Sequence, residues 1–290
     1  MNRHNARLIV NADDFGLTSG VNRAIVELHQ AGVLTSTTLM ARAAATEEAI
    51  EMARATPGLG VGCHVVLVDG EPVSRDLHLA GLSDSRTGRL HATLGDFVRR
   101  LLSGRIAARE IELEATAQIT SLVSRGVQLT HVDTHKHTHM FPQVLRPLLR
   151  AAKACGIGAV RNPFEPAWSV DATAGAPLLR RGEIGILRLL FESRFRRIAA
   201  EEGFSTTDGS LGVLATGTLD SATVAGLLRA MPHGSWELVT HPGYNDAELA
   251  GANTRLVASR EIERETLGTL RGATNIELIS FADLARVAAV

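Results

Sequence analysis

The sequence predicts an α/β fold, a single distorted (β/α) barrel of the TIM type, and three observations support this prediction. Short apolar runs of β-forming residues alternate with segments of helical periodicity along the chain. About eight strands with intervening helices suit a barrel better than a short open sheet. The 290 residues contain no internal repeat and no Pro- or Ser-rich linker. We therefore expect one barrel domain over residues 1–290.

The first half of the predicted barrel consists of three strands and two helices. The apolar run at 7–11 predicts the first strand. Helical spacing over 20–31 predicts the first helix, whose apolar stripe consists of Val21, Ala24, Ile25 and Leu28. A strand at 34–40, a helix at 46–54 and a strand at 60–67 continue the alternation.

The second half continues this order with longer helices. Helical patterns lie near 94–103 and 108–125, followed by a strand at 129–132 and a helix at about 141–154. The remaining strand candidates lie at 158–161, 212–215, 236–240 and 276–280.

Two stretches, near 68–93 and 162–207, interrupt the alternation, and we expect them to be inserts that act as lids or substrate loops. Within the second, residues 180–200 combine six arginines with apolar residues at helical spacing. This pattern predicts a basic helix with a broad apolar face. Three interpretations remain open: a helix packed on the barrel rim, a lid over the site, or a helix on an anionic lipid surface.

The composition excludes several classes of protein. Hydrophobic residues make up 45% of the chain, which is enough for a core and excludes intrinsic disorder. A net charge of -1 and 4% aromatic residues do not fit a nucleic-acid binder. Without a signal-peptide core or a membrane-spanning run, we expect a cytoplasmic protein with no integral membrane association. The two cysteines, Cys63 and Cys155, are too few for a disulfide scaffold or a Cys-rich zinc site.

Histidines and carboxylates follow the predicted strands. In a barrel, catalytic groups come from the carboxyl ends of different strands. The segments there are NADDFG at 11–16, GCH at 62–64, HVDTHKHTH at 131–139, RNP at 161–163 and HPGY at 241–244. Five strand ends thus bring together carboxylates, imidazoles and a guanidinium.

The histidine run has a spacing of two residues. In an extended segment, this spacing places His131, Asp133, His135, His137 and His139 on one face. Alternate residues of a strand are nearly 7 Å apart, so one metal ion can bind at most one or two of them. The others would orient ligands, satisfy buried polar groups or contact substrate.

The adjacent carboxylates Asp13 and Asp14 indicate metal chemistry, since neighbouring charges repel unless a cation or an arginine lies between them. Their side chains diverge, so we expect one to bind a metal and the other to face substrate or water. A helix-capping or turn pair is the alternative. A carboxylate with two imidazoles leaves positions open for water and substrate, which is typical of a hydrolytic site.

Three further residues have both structural and functional interpretations. His64, in an apolar strand, is either a core histidine or a partner of Asp14 and His135, and its convergence with those two favours the second interpretation. Arg161 is either an ordinary surface arginine or the group that neutralises and orients Asp13. His241 follows a strand at a Pro-Gly bend, and an exposed loop position is its alternative.

The segments NADDFG at 11–16, GCH at 62–64, THVDTHKHTHMFP at 130–142 and THPGY at 240–244 together resemble the YdjC-like family of carbohydrate deacetylases, which includes chitooligosaccharide deacetylase. The resemblance covers residues 7–245. It implies a distorted barrel that binds one divalent metal ion, Mg²⁺ or Zn²⁺, and removes N-acetyl groups from an amino sugar. Carried over to this sequence, it makes Asp14, His64 and His135 the metal ligands, Asp13 the catalytic base and His241 the general acid.

The chain departs from the family pattern at Cys63, often an apolar position, and at Lys136, which interrupts the histidine run. One branch of the family is linked to hopanoid lipid biosynthesis and acts on a glycosylated lipid. The expected partner is therefore an N-acetylated amino sugar or a glycolipid, and a homo-oligomer is compatible with the sequence. Two other functions remain open: a phosphoesterase with two or three metal ions, and a catalytically silent sugar-binding or metal-binding protein.

Overall fold

A parallel β-sheet forms the centre of the protein. The computed structural model describes residues 6–74, 79–173, 175–270 and 276–287. Its strands are β1 (Ala6–Phe15), β2 (Ser36–Leu39), β3 (Gly60–Val65), β4 (Leu129–Thr134), β5 (Gly209–Leu211), β6 (Gly234–Thr240) and β7 (Glu277–Leu278). They pair in parallel in the order β4-β3-β2-β1-β6-β5, and β7 pairs with β1.

Backbone hydrogen bonds continue the pairing from β4 round to β5. Val132 N donates to Ala159 O at 3.1 Å, and Ser205 N donates to Gly158 O at 2.8 Å. The chain then runs from Ser205 into β5, which pairs with β6. Parallel pairing therefore passes round a curled sheet, and the predicted α/β barrel class is confirmed.

The strand predictions near residues 158–161 and 212–215 need correction. The first segment forms only isolated bridges to Val132 and Ser205. The second is not a strand, because β5 ends at Leu211 and Gly212 has a φ of +86°, which turns the chain. The described residues therefore contain seven strands in place of about eight.

Eleven helices accompany the described strands. They are α1 (Ser19–Gln30), α2 (Thr46–Ala55), α3 (Leu94–Leu102), α4 (Ala108–Val123), α5 (Pro142–Ala154), α6 (Ala167–Ala172), α7 (Leu178–Glu202), α8 (Ser221–Ala230), α9 (Ala247–Gly251), α10 (Ala258–Gly268) and α11 (Phe281–Val287). The predicted helix over 180–200 lies within α7. Among the described residues, no helix is long and apolar enough to cross a membrane.

The two predicted inserts differ in structure. Described residues of the 68–93 insert lie outside strands and helices, whereas the 162–207 insert contains α6 and α7. Residues 75–78 and 174 of these inserts, and the ends 1–5 and 288–290 of the predicted domain, lie outside the described residues. One domain over the whole chain stays a prediction.

A polar stripe on α4 holds the first insert. Glu110 accepts the Gly81 N–H at 2.7 Å, and Glu114 accepts the Val73 N–H at 2.8 Å. Gln118 pairs with both backbone groups of Val66. These three side chains are buried at spacings of four residues, so one helix face binds the insert backbone.

A small apolar cluster fills the barrel near the amino ends of the strands. It consists of Ile9, Ala159, Ile279, Phe281 and Leu284. The ring of His131 stacks on Phe281 with centroids 3.8 Å apart. Because this end is filled, a cleft that reaches the strands must open at their carboxyl ends.

Changing Gly62 to alanine tests this packing. The new Cβ would lie 2.6 Å from the buried His131 ring, which cannot retreat because it stacks on Phe281. We expect the variant to unfold with about 1–3 kcal/mol less stability in urea, as overpacked cores do. Gly95→Ala is the matched control, since open space surrounds that α3 position. Equal stability of the two variants would contradict the packing described for His131.

Candidate functional site

A cleft of about 1150 Å³ opens where the predicted functional residues meet. Asp13 and Asp14 come from the end of β1, and Asp14 has a φ of +66°. His64 comes from β3, His135 begins the 3-10 turn after β4, and His241 follows β6. All five line the cleft. The parallel strands thus place five residues that are distant in sequence at one end of the barrel.

Three of these residues converge on a common point. His64 Nε2 lies 3.3 Å from His135 Nδ1 and 3.5 Å from Asp14 Oδ1, and His135 Nδ1 lies 3.6 Å from Asp14 Oδ1. Tetrahedral zinc with Zn–N bonds of 2.0–2.1 Å would separate its ligand atoms by about 3.3 Å. The spacing and chemistry of these atoms, which we call the metal triad, therefore fit one divalent ion.

Asp133 determines which nitrogen of His64 faces the metal triad. Asp133 Oδ1 lies 2.8 Å from His64 Nδ1, so the ring donates there and leaves Nε2 for the triad. Burial alone would lower the pKa of His64, but the charges of Asp133, Asp13 and Asp14 outweigh it and raise the pKa to about 9. The surroundings of this ring thus favour a positive charge, which a bound cation would also provide.

Arg260 holds the carboxylate of the triad. Its Nη2 donates to Asp14 Oδ2, on the opposite side of the carboxylate from the two histidines. Burial raises the pKa of Asp14, but Arg260 and His135 outweigh it and hold the pKa well below its ordinary value. Asp14 is therefore ionised, which is the form in which a carboxylate binds a metal ion.

Asp13 lies beside the triad and has different partners. Arg161 donates to both of its oxygens, from Nη2 to Oδ1 at 2.6 Å and from Nη1 to Oδ2 at 2.8 Å. The fully buried Arg161 also pairs with Asp133 and Glu237. Burial raises the pKa of Asp13, but Arg161 outweighs it and lowers the pKa below its ordinary value. Arg161 thus orients Asp13 and keeps it ionised.

His241 is a further neighbour of Asp13. Its Nε2 is 3.8 Å from Asp13 Oδ2, and its Nδ1 is 3.9 Å from Glu263 Oε2, which also accepts the His241 backbone N–H at 2.6 Å. Burial lowers the pKa of His241 to about 4, so the ring is neutral at pH 7. Burial raises the pKa of Glu263 to about 7.

A second group of possible ligand atoms consists of Asp13, His64 and Asp133. Arg161 already binds both carboxylates of this group. Both groups use His64, and within the described chain no third group of such atoms is found. The candidate site therefore suits one metal ion.

The extended arrangement predicted for the histidine run is wrong. Strand β4 ends at Thr134, and the 3-10 turn His135–Met140 follows, with left-handed backbone at Lys136 and His137. His131 faces the filled end of the barrel, and His139 is buried with its Nδ1 2.8 Å from Thr134 Oγ1. His137 lines the cleft, so only His135 of the four joins the triad.

Three charged residues of the site had no assigned role in the sequence-based prediction: Glu237, Arg260 and Glu263. Glu237 interrupts the apolar strand β6, and a carboxylate within such a strand is a signal of a buried pair. Arg260 and Glu263 come from α10, which was not among the predicted helices. Their contacts to Asp14 and His241 depend on how α10 packs.

The loop wall of the cleft joins three distant segments. Asp69, in the first insert, accepts from Lys136 Nζ at 2.6 Å and from Asn253 Nδ2 at 2.6 Å. Asp69 has a φ of +62°, which turns its side chain between these two partners. The insert is thereby connected to the turn that carries His135 and to the segment before α10.

Asp133→Asn tests whether the partner of His64 matters for the metal. We expect metal affinity to fall about 10- to 100-fold, as it does when the hydrogen-bond partner of a ligating histidine is replaced. The dissociation constant is measured by competition with a coloured chelator. Asp171→Asn, an exposed carboxylate on α6, is the control. An unchanged constant for Asp133→Asn would remove Asp133 from the metal site.

Fold and site together define a (β/α) barrel with a candidate single-metal centre at the carboxyl ends of its strands. The family model described as YdjC-like protein matches residues 7–271. The chain therefore belongs to the YdjC-like family.

Individual relatives agree with this membership. A protein from Brevibacillus brevis named carbohydrate deacetylase is 33% identical, over 96% of this chain and 99% of the relative. One from Serratia marcescens named chitooligosaccharide deacetylase is 31% identical, over 96% and 98%. A crystal structure of an Enterococcus faecalis V583 protein, described as a candidate cellobiose-phosphate cleavage protein, superposes with a TM-score of 0.75 at 25% identity, over 97% and 99%.

Proposed function

We propose that the protein is a metal-dependent carbohydrate N-deacetylase, which hydrolyses the acetamide of an amino sugar to a free amine and acetate. One observation carries the proposal: three ligand atoms 3.3–3.6 Å apart lie beside a carboxylate that a buried arginine keeps ionised. Hydrolysis of an unactivated amide needs both an activated water and a base. The names of the full-length relatives supply the substrate class.

In this proposal, Asp14, His64 and His135 hold one divalent ion. Two imidazoles and one carboxylate suit Zn²⁺ and also accept harder ions such as Mg²⁺. When bound, the ion supplies a water nucleophile at neutral pH and polarises the acetyl carbonyl. Asp13 and Asp14 are adjacent at the end of β1, so an ion held by Asp14 would have the Asp13 carboxylate as a neighbour.

Asp13 and His241 move the protons. Asp13 is ionised and takes the proton of the attacking water. His241 is neutral at pH 7, so it must receive a proton before it can donate one to the departing amine. Asp13 Oδ2 lies 3.8 Å from His241 Nε2, so that proton passes between them after attack through one water or once the side chains approach to hydrogen-bond distance. Arg161 orients Asp13 throughout.

His241→Ala tests the proton donor. We expect kcat to fall about 10²- to 10⁴-fold with a smaller change in KM, because a proton donor acts on the leaving amine in the transition state. Steady-state kinetics on an N-acetylated sugar oligomer measure both constants. An effect confined to KM would assign His241 to substrate binding instead.

The proposal is tested by incubating the purified protein with Mg²⁺ or Zn²⁺ and N-acetylated substrates. The panel contains N-acetylglucosamine oligomers, N-acetylated glycolipids and sugar phosphates, and free acetate and free phosphate are measured. Release from either class supports the deacetylase and identifies the substrate, an oligosaccharide or a lipid-linked amino sugar. Phosphate release from sugar phosphates without acetate would favour the phosphoesterase. Sugar binding without either product would favour a silent binding protein.

A further inference from the structure

Exposed apolar side chains are concentrated on the first half of α7. Nine large apolar side chains of the described residues are exposed, and five of them lie within thirteen residues of this helix. They are Leu178 (86% exposed), Leu179 (91%), Ile186 (60%), Leu189 (82%) and Leu190 (60%). Single exposed leucines are ordinary, but a cluster of this kind marks an interaction surface.

Three of these five side chains share a narrow face of the helix, and Leu178 and Leu189 lie about 60–120° to one side of it. At 100° per residue, Leu179, Ile186 and Leu190 lie within about 40° of one another around the axis. The opposite side contains Ile184, Phe195 and Ile198, which are buried. The helix is therefore apolar on two sides, and only one of them packs against the protein.

Positive charge accompanies the exposed face. Between Leu178 and Arg197 the helix has six arginines and two glutamates. At 100° per residue, Arg194 and Arg197 lie within about 60° of Leu179, as does Glu183, whereas Arg181 and Arg188 lie on the far side of the helix. Arg194 is exposed on the same side as Leu190 and has no hydrogen-bond or ion-pair partner among the described residues. The remaining glutamates of α7, Glu201 and Glu202, pair with Arg146 on α5, and Glu201 Oε1 also lies 3.8 Å from Arg197 Nε.

We propose that this face of α7, from Leu178 to Arg197, binds the surface of an anionic lipid bilayer. Leucines and isoleucine on one face with flanking arginines are what a helix lying in the membrane interface requires. A second copy of the chain fits less well, because a two-fold axis would bring two segments of the same positive charge together. The proposal concerns a surface outside the metal triad and does not depend on the reaction.

The placement of the helix connects this surface to the cleft. Ile184 and Leu187 line the cleft, while Ile186 and Leu190 face outward from the same turns. One helix therefore separates the cleft from the lipid-binding face. Bound in this way, the protein would hold the cleft wall formed by α7 next to the bilayer surface.

Vesicle sedimentation tests the proposal with the chain of 290 residues. We expect the wild type to sediment with vesicles containing phosphatidylglycerol at low salt, and less so with phosphatidylcholine alone or at high salt. The variant L179Q/I186Q/L190Q is expected to bind about tenfold or more weakly, because three apolar side chains no longer enter the interface. R194E/R197E is expected to lose binding at low salt.

Controls separate lipid binding from misfolding and from self-association. L102Q/V123Q changes exposed apolar residues of α3 and α4 and is expected to bind like the wild type. Circular dichroism and melting temperature verify that each variant is folded. No sedimentation of the wild type, or equal sedimentation of L179Q/I186Q/L190Q, overturns the proposal. A wild-type dimer in analytical ultracentrifugation that L179Q/I186Q/L190Q abolishes would also overturn it, in favour of a second copy.

Discussion

Replacing Asp13 with asparagine is expected to lower kcat about 10²- to 10⁴-fold while the bound metal remains. The amide has the size of the carboxylate but cannot take a proton from water. The triad itself is unchanged, since Asp14, His64 and His135 supply its ligand atoms. Acetate release under saturating substrate and elemental analysis of the same sample measure the two quantities.

The control for Asp13→Asn is a measurement of whether the variant keeps its fold around Arg161. Breaking one buried ion pair is destabilising, but Arg161 retains Asp133 and Glu237 as partners. The melting temperature should therefore remain high enough for assay, and Asp171→Asn gives the reference for a surface change. A variant with kcat near that of the wild type would remove Asp13 from the mechanism.

Alanine at Asp14, His64 or His135 is expected to abolish both metal binding and acetate release. Each variant removes one of the three proposed ligands, so the loss should exceed the roughly 10- to 100-fold effect expected when the hydrogen-bond partner of a ligand is replaced. Elemental analysis after gel filtration gives the metal content. His233→Ala, an exposed histidine, is the matched control and should bind metal like the wild type. Unchanged metal content in the three alanine variants would show that the site is wrong.

The sequence predicted the position of those site residues that lie at the ends of strands. A parallel barrel brings the carboxyl ends of its strands together, so Asp13, Asp14, His64 and His241 could be placed at one site from the strand pattern alone. Their distance from one another in the sequence does not matter, because the position of each residue relative to the end of its strand is enough to place it at the site.

The two-residue spacing of the histidine run did not predict which of its histidines reach the site. A spacing of two predicts one face only while the backbone is extended. Lys136 and His137 have left-handed backbone angles, which turn the chain. Of the four histidines in the run, only His135 therefore belongs to the metal triad. Such a turn at two residues other than glycine has no clear signal in residue type.

The residues that set the charge and pKa of the site residues could not be predicted from the sequence, for a different reason. Arg260 and Glu263 belong to a helix late in the chain, and their effect on Asp14 and His241 arises from tertiary packing. Glu237 lies within a strand, and only its pairing with the buried Arg161 explains a carboxylate at that position. Charge compensation in a core depends on which side chains meet, and a linear pattern does not contain that information.

The most direct test of a single-metal deacetylase is a titration of metal-free protein. The protein is stripped with a chelator, and Zn²⁺ or Mg²⁺ is added back in steps while acetate release from the best N-acetylated substrate is measured. A single-metal mechanism predicts no release from metal-free protein and full activity at one bound ion per chain. Full activity of the metal-free protein, or saturation only at two ions, would contradict it.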